Sequence, residues 1–89
     1  MAGEKAIKAF MERKVKREGN TVSTGKTLLL FGNEIAEWRN DELWITNAGW
    51  FSLTTKDRLN KIPLVKSVQQ VRGEWFLNGK KWNGEWIKV

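Results

Sequence analysis

The stretch TLLLFGNEIAEWRNDELWIT, residues 27–46, reverses direction twice between short apolar segments, and this constrains the fold more than any other feature of the chain. Gly32 and Asn33 stand between two apolar segments, as at a two-residue hairpin turn, and Asn40 and Asp41 mark a second reversal. Two-residue loops would set Phe31 opposite Glu34, Leu29 opposite Ala36, Trp38 opposite Leu43 and Ala36 opposite Ile45. One face of this meander then carries Leu29, Ala36, Trp38, Leu43 and Ile45; the other carries Leu28, Leu30, Ile35, Glu37, Trp44 and Thr46. A sheet apolar on both faces requires cover on both, which points to a small, partly open barrel or to a sheet with another element laid across it.

The remaining segments supply that cover. TTKDRLNKI, residues 54–62, reads as a short helix: Thr54 or Thr55 caps it, Asp57 lies near its N-terminal dipole, Leu59 and Ile62 form its apolar stripe and Pro63 ends it. Val65 to Val71 reads as a strand, Arg72 and Gly73 as a turn, and EWFLNGKKW as a hairpin closed by Asn78 and Gly79, with Trp75 opposite Trp82 and Phe76 opposite Lys81. Ile7, Phe10, Met11 and Val15 fall at helical spacing, whereas Met11, Arg13, Val15 and Arg17 alternate as in a strand. The basic segment 1–18 is therefore expected as a short helix giving way to an edge strand, ahead of a single β-rich domain over 19–89. The fold class is α+β: a small antiparallel sheet or partly open barrel in the order βββ-α-ββ, with one short helix and an additional N-terminal one.

Such a chain must hold together by packing. With 89 residues it buries roughly 60–65% of the surface its unfolded form exposes, and it has neither Cys nor His. That absence removes disulfides, Cys or His nucleophiles, Ser-His-Asp triads and the usual zinc-finger ligand sets. Six Trp and four Phe supply the bulk instead.

GNTVSTGKT, residues 19–27, resembles the end of a phosphate-binding loop, but five residues rather than four separate Gly19 from Gly25, and Lys26 and Thr27 lead into LLLFGNE rather than into a helix. A turn feeding a strand is the reading. Glu34, Glu37, Asp41 and Glu42 lie near turns, with no cleft to raise a carboxyl pKa and no EF-hand spacing. No enzymatic activity, cofactor or metal is expected.

Charge gives the positive indication. The formal net charge is +6 and the pI about 9.9. Residues 1–18 hold six basic and three acidic groups, net +3; residues 19–55 two against four, net −2; residues 56–89 eight against three, net +5. Basic ends flank an acidic middle. Lys56, Arg58, Lys61, Lys66, Arg72, Lys80 and Lys81, with Phe76 as a stacking platform, form a candidate nucleic-acid-binding set, since phosphates are met by cations and unpaired bases by aromatic faces. An acidic protein is the other class of partner. The longest apolar run, Leu28 to Phe31, is far too short to span a membrane, and the N-terminus lacks the pattern of a signal peptide, so no membrane association is expected.

STGKTLLLFGNEIAEW, ITNAGW, TTKDRLN and WFLNGKKWNGEW together resemble a group of short proteins encoded by bacteriophages, in which strand, turn and short helix recur in this order. The resemblance covers about residues 22–86 and carries no catalytic signature. It implies a small accessory protein acting in the cytoplasm of a bacterial host. Nucleic-acid binding is the leading expectation; a modulator of a host protein, or a virion component, are the alternatives.

Overall fold

Left-handed residues mark where the chain turns, and the apolar residues between them decide which face turns inward. The computed structural model describes residues 3–49 and 53–89. Its elements are α1 (Glu4–Met11), β1 (Val15–Glu18), β2 (Thr21–Thr24), β3 (Thr27–Leu30), β4 (Asn33–Arg39), β5 (Glu42–Ile45), α2 (Leu53–Asn60), β6 (Val68–Val71), β7 (Glu74–Leu77), β8 (Lys80–Lys81) and β9 (Ile87–Lys88). The fold is α+β, as expected, with an antiparallel main sheet in the order β1-β2-β3-β4-β5-β9 and a smaller one, β6-β7-β8. Neither sheet closes into a barrel among the described residues. The basic N-terminal segment is both things its spacing allowed, a helix followed by the edge strand β1. Trp50, in the ITNAGW stretch, lies outside the described residues.

The first hairpin of the meander differs from the simple register. Its turn falls at Phe31–Gly32, with φ of 50° and 81°, so that Leu30 pairs with Asn33 and Leu29 with Glu34. Leu28 then pairs with Ala36, leaving Ile35 as a bulge residue without a partner on β3. Both Ile35 and Ala36 point into the core, at 1% and 0% exposure. Leu28 and Leu30 therefore join Ala36, Leu43 and Ile45 inside, while Leu29 is left half-buried on the outer face. The magnitudes explain the choice: burying an extra Leu or Ile side chain is worth about 1.5–3 kcal/mol, whereas a left-handed non-glycine residue costs roughly 1–2 kcal/mol. The second reversal, at Asn40–Asp41, gives Trp38 opposite Leu43 and Ala36 opposite Ile45, as expected. Gly25 and Lys26 make the bend between β2 and β3, where the Thr24 hydroxyl oxygen accepts the Thr27 N–H at 3.0 Å, so the chain enters a strand after Lys26.

The bulge makes one face of the main sheet the apolar one, and both helices lie on it. Ala6, Ile7 and Phe10 of α1 are buried; the Phe10 ring stacks on Trp38 at 5.7 Å, and Trp38 Nε1 donates to the Phe10 carbonyl at 2.9 Å. At the other end of α1, Glu18 Oε1 accepts the N–H groups of Lys5 (2.7 Å) and Ala6 (3.2 Å), doing from β1 what an N-cap side chain normally does. The second helix already includes Leu53, so Thr54 and Thr55 lie within it and Asp57 in its middle. It closes in a tighter turn, Lys61 N–H to Arg58 O and Ile62 N–H to Leu59 O, before Pro63. Leu59, Ile62, Val65 and Val68 continue the same core into Trp75, Leu77 and Trp82 of the small sheet. The strand anticipated from Val65 begins only at Val68, because Val65 N–H closes a turn on Ile62 O.

Two expectations follow. Phe31 is 62% exposed in a conformation that asparagine adopts at lower cost, so Phe31→Asn is expected to raise the thermal midpoint by a few degrees; calorimetry checks it. Partial burial raises the Glu18 pKa, but the N–H groups of Ala6 and Lys5 and the nearby positive charges outweigh it and hold the carboxyl below its usual range. A depressed carboxyl contributes stability that is present above the unfolded pKa and lost as pH falls through the folded one. The acid limb of a pH-stability curve, below about pH 4.3, is therefore expected to be shallower in Glu18→Gln than in the wild type, by urea unfolding.

Candidate nucleic-acid interface

The WFLNGKKW hairpin sets the orientation of the candidate aromatic. Asn78 and Gly79 form its turn at φ 51° and 86°, pairing Leu77 with Lys80 and Phe76 with Lys81. The Asn78 side chain also accepts the N–H groups of Lys66 and Ser67 at 2.9 and 3.0 Å, fixing the approach to β6. One step beyond, Trp82 N–H bonds to Trp75 O at 2.9 Å, and the two indoles lie 6.1 Å apart inside the core, the opposed pair that the sequence suggested. Because side chains alternate along a strand, the inward turn of Trp75 and Leu77 sends Phe76 outward. Register then gives a row across the small sheet, Gln69–Phe76–Lys81, with Phe76 half-buried and the other two exposed. Lys81 Nζ lies 3.4 Å from the Glu74 carboxylate, an exposed pair worth at most ~1 kcal/mol and readily exchanged for another anion.

Lys81 is also one wall of an open groove of about 490 Å³ whose other walls include Asn83, Glu85 and Trp86. A second groove, about 520 Å³, shares Asn83, Glu85 and Trp86 and runs on to Thr46 and Asn47 at the end of β5. Trp86 therefore stands between two clefts. Its ring is held by Arg39, whose guanidinium lies 4.8 Å from it and 4.6 Å from Trp44, and Arg39 Nε donates to Glu37 at 2.8 Å. The loop carrying Trp86 is tied down through Gly84, whose carbonyl accepts from Thr46 Oγ1 at 2.6 Å and Asn47 N–H at 3.0 Å. Trp82 Nε1 donates to Glu85 O at 2.9 Å.

The basic residues singled out from sequence do not converge on one patch. Arg58 is a correction: it is only 9% exposed, Nε donates to Thr21 Oγ1 at 2.9 Å, and its guanidinium pairs with Asp57. Packing α2 against the inner face turns this position toward β2, and Gly3, left-handed at φ 88°, leaves the room it occupies. Lys61 also pairs with Asp57, at 2.9 Å, and lies toward α1 beside Ile7 and Met11. The Lys61 hydrogen bond, opposed by partial burial and helped by Arg58, holds the Asp57 carboxyl below its usual range. Lys56 sits about 140° around the helix from Lys61; its Nζ donates to Gln70 at 3.0 Å and lies over Trp75 at 5.8 Å. Lys66 and Lys80 are exposed at the Asn78 end of the hairpin, Lys80 on the opposite face from Lys81, and Arg72 is exposed in the turn at the far end of β7. Phe76 and Lys81 alone among them share a face by register. Sequence reasoning missed Trp86, Asn83 and Arg39. The one signal was the NGEW echo of NGKKW, which places a second Trp just after a glycine turn.

The family model for Kyanoviridae Gp96 protein matches residues 2–88. The chain belongs to this family of phage-encoded proteins. No curated protein and no solved structure matches it. The matched span includes α1 and β1, the basic N-terminal segment that the resemblance left outside. No helix among the described residues is long and apolar enough to cross a membrane.

An added Cβ at Gly84, at φ 89°, would lie 2.1 Å from Asn47 Nδ2. Gly84→Ala is therefore expected to destabilise the protein by about 1–3 kcal/mol and to loosen Trp86, read as a red shift and increased quenching of tryptophan fluorescence relative to the wild type.

Proposed function

We propose that this phage protein is a non-enzymatic accessory factor that binds single-stranded nucleic acid in the cytoplasm of the bacterial host, without strong sequence preference. The observation that carries this reading is the position of Lys81, which neighbours Phe76 across the hairpin and also walls the groove below Trp86. A lysine whose strand neighbour is one half-buried ring and whose groove carries another offers a flexible strand a cation for the phosphate and aromatic faces for its bases. Asn83 adds an amide that tolerates any base edge. Lys56, Lys66, Lys80 and Arg72 lie outside this face and add only to the overall field, and the net charge of +6 favours encounter with any polyanion. Duplex is disfavoured because stacking needs unpaired bases. A second reading, a modulator of a host protein, is favoured by one observation, the uncovered edge of β1.

A salt titration against a single-stranded oligonucleotide tests the proposal. Phe76→Ala and Trp86→Ala are each expected to weaken binding by ~1–3 kcal/mol with the salt slope unchanged, since stacking releases no counterions. Lys81→Ala is expected to reduce the slope by about 0.7, one phosphate on a single strand. Binding weaker than ~100 μM at physiological salt, the weak end of non-specific association, or equal binding by all three variants and the wild type, overturns it.

A further inference from the structure

The two sheets treat their free edges differently. On the small sheet, α2 guards the start of β6: Asn60 Nδ2 donates to Val68 O at 3.0 Å and Asn60 Oδ1 accepts Val68 N–H at 2.7 Å, consuming the outward groups of that residue. β1 has no such guard. The two-residue turn after it makes Glu18–Thr21 and Lys16–Ser23 the hydrogen-bonded pairs, so the N–H and C=O groups of Val15 and Arg17 point away from β2. No described residue bonds to those groups, and the Val15 side chain is 78% exposed. The first helix meets β1 at Glu18 and leaves its edge open.

The charges on this edge select the occupant. Lys16 and Arg17 are exposed and make no ion pair with any described residue, and Lys14 and Arg13 precede them. The one acid of the strand, Glu18, is turned onto the N-terminus of α1. A second copy of β1 is a poor partner: antiparallel self-pairing through Val15 and Arg17 sets Lys16 against Lys14, Lys16 against itself or Arg17 against itself, and like charges directly opposite repel.

We infer that the free edge of β1 accepts an acidic, extended segment of another protein as a further antiparallel strand of the main sheet. Main-chain bonds to Val15 and Arg17 hold the segment, and carboxylates opposite Lys16 and Arg17 select it. This surface is separate from the Phe76–Lys81–Trp86 face, so the fate of either proposal leaves the other standing.

The probe is a blocked octapeptide, Thr-Val-Glu-Glu-Glu-Val-Thr-Thr, compared with its analogue carrying Lys for Glu, titrated into the full-length protein and followed by amide NMR and hydrogen exchange. The Glu peptide is expected to shift the Val15 and Arg17 N–H signals and slow their exchange, leaving those of Lys16 and Glu18, already bonded to β2, nearly unmoved. The Lys peptide is expected to do neither. Val15→Pro removes an outward N–H without touching the β1–β2 ladder and is expected to weaken the Glu peptide at least about tenfold with an unchanged melting temperature. Arg17→Glu is expected to reverse the preference between the peptides. The proposal is overturned if the two peptides bind alike, if Val15→Pro binds as the wild type does, if no saturation is reached by ~2 mM, or if a single-stranded oligonucleotide alone shifts the β1 amides. Should Val15→Pro not fold, the exchange pattern of the wild type decides between these outcomes.

Discussion

Ile35 is the residue on which the two-sidedness of the main sheet depends. Without the bulge, a side-chain period of two would divide Leu28, Leu30 and Ile35 from Leu43 and Ile45, leaving both faces half apolar. With it, Ile35 and Ala36 enter the core together and carry the leucines of β3 with them. One face is then apolar enough to hold two helices and the back of the small sheet. The other is free to carry Glu37, Arg39 and Trp44.

That division also fixes the C-terminal segment. Arg39, on the outer face, holds its guanidinium over both Trp44 and Trp86, and the end of β5 offers Gly84 two donors. A loop with little regular structure is thus held at three points by the far side of the sheet. In the nucleic-acid reading proposed above, a ring already immobilised would lose less entropy when a base stacks on it.

The charges are used in three distinct ways. Arg58 and Asp57 are structural, bridging α2 to β2 and to Lys61. Glu18 is turned inward to satisfy the start of α1. Lys16, Arg17, Lys66, Lys80 and Lys81 are left on the surface. A net charge read from composition merges these groups. Their environments separate them, and the basic surface is accordingly split between the β1 edge and the small sheet rather than gathered in one stripe.

What the sequence determined by itself was local. Reversals at Asn40–Asp41, Arg72–Gly73 and Asn78–Gly79 were legible because they need left-handed or side-chain-bonded residues, and the Trp75–Trp82 pair followed from the length of its loop. The outward placement of Phe76 beside Lys81 was legible for the same reason. Only the tertiary structure decided the Phe31–Gly32 turn, where burial of Ile35 outweighs the backbone preference of a phenylalanine. It also buried Arg58, because a helix face is assigned by what the helix packs against, and residue type alone left that arginine indistinguishable from an exposed one. Trp86 became a candidate site residue through Arg39 and Gly84, partners distant in sequence or set by a single close backbone contact, which no local pattern records.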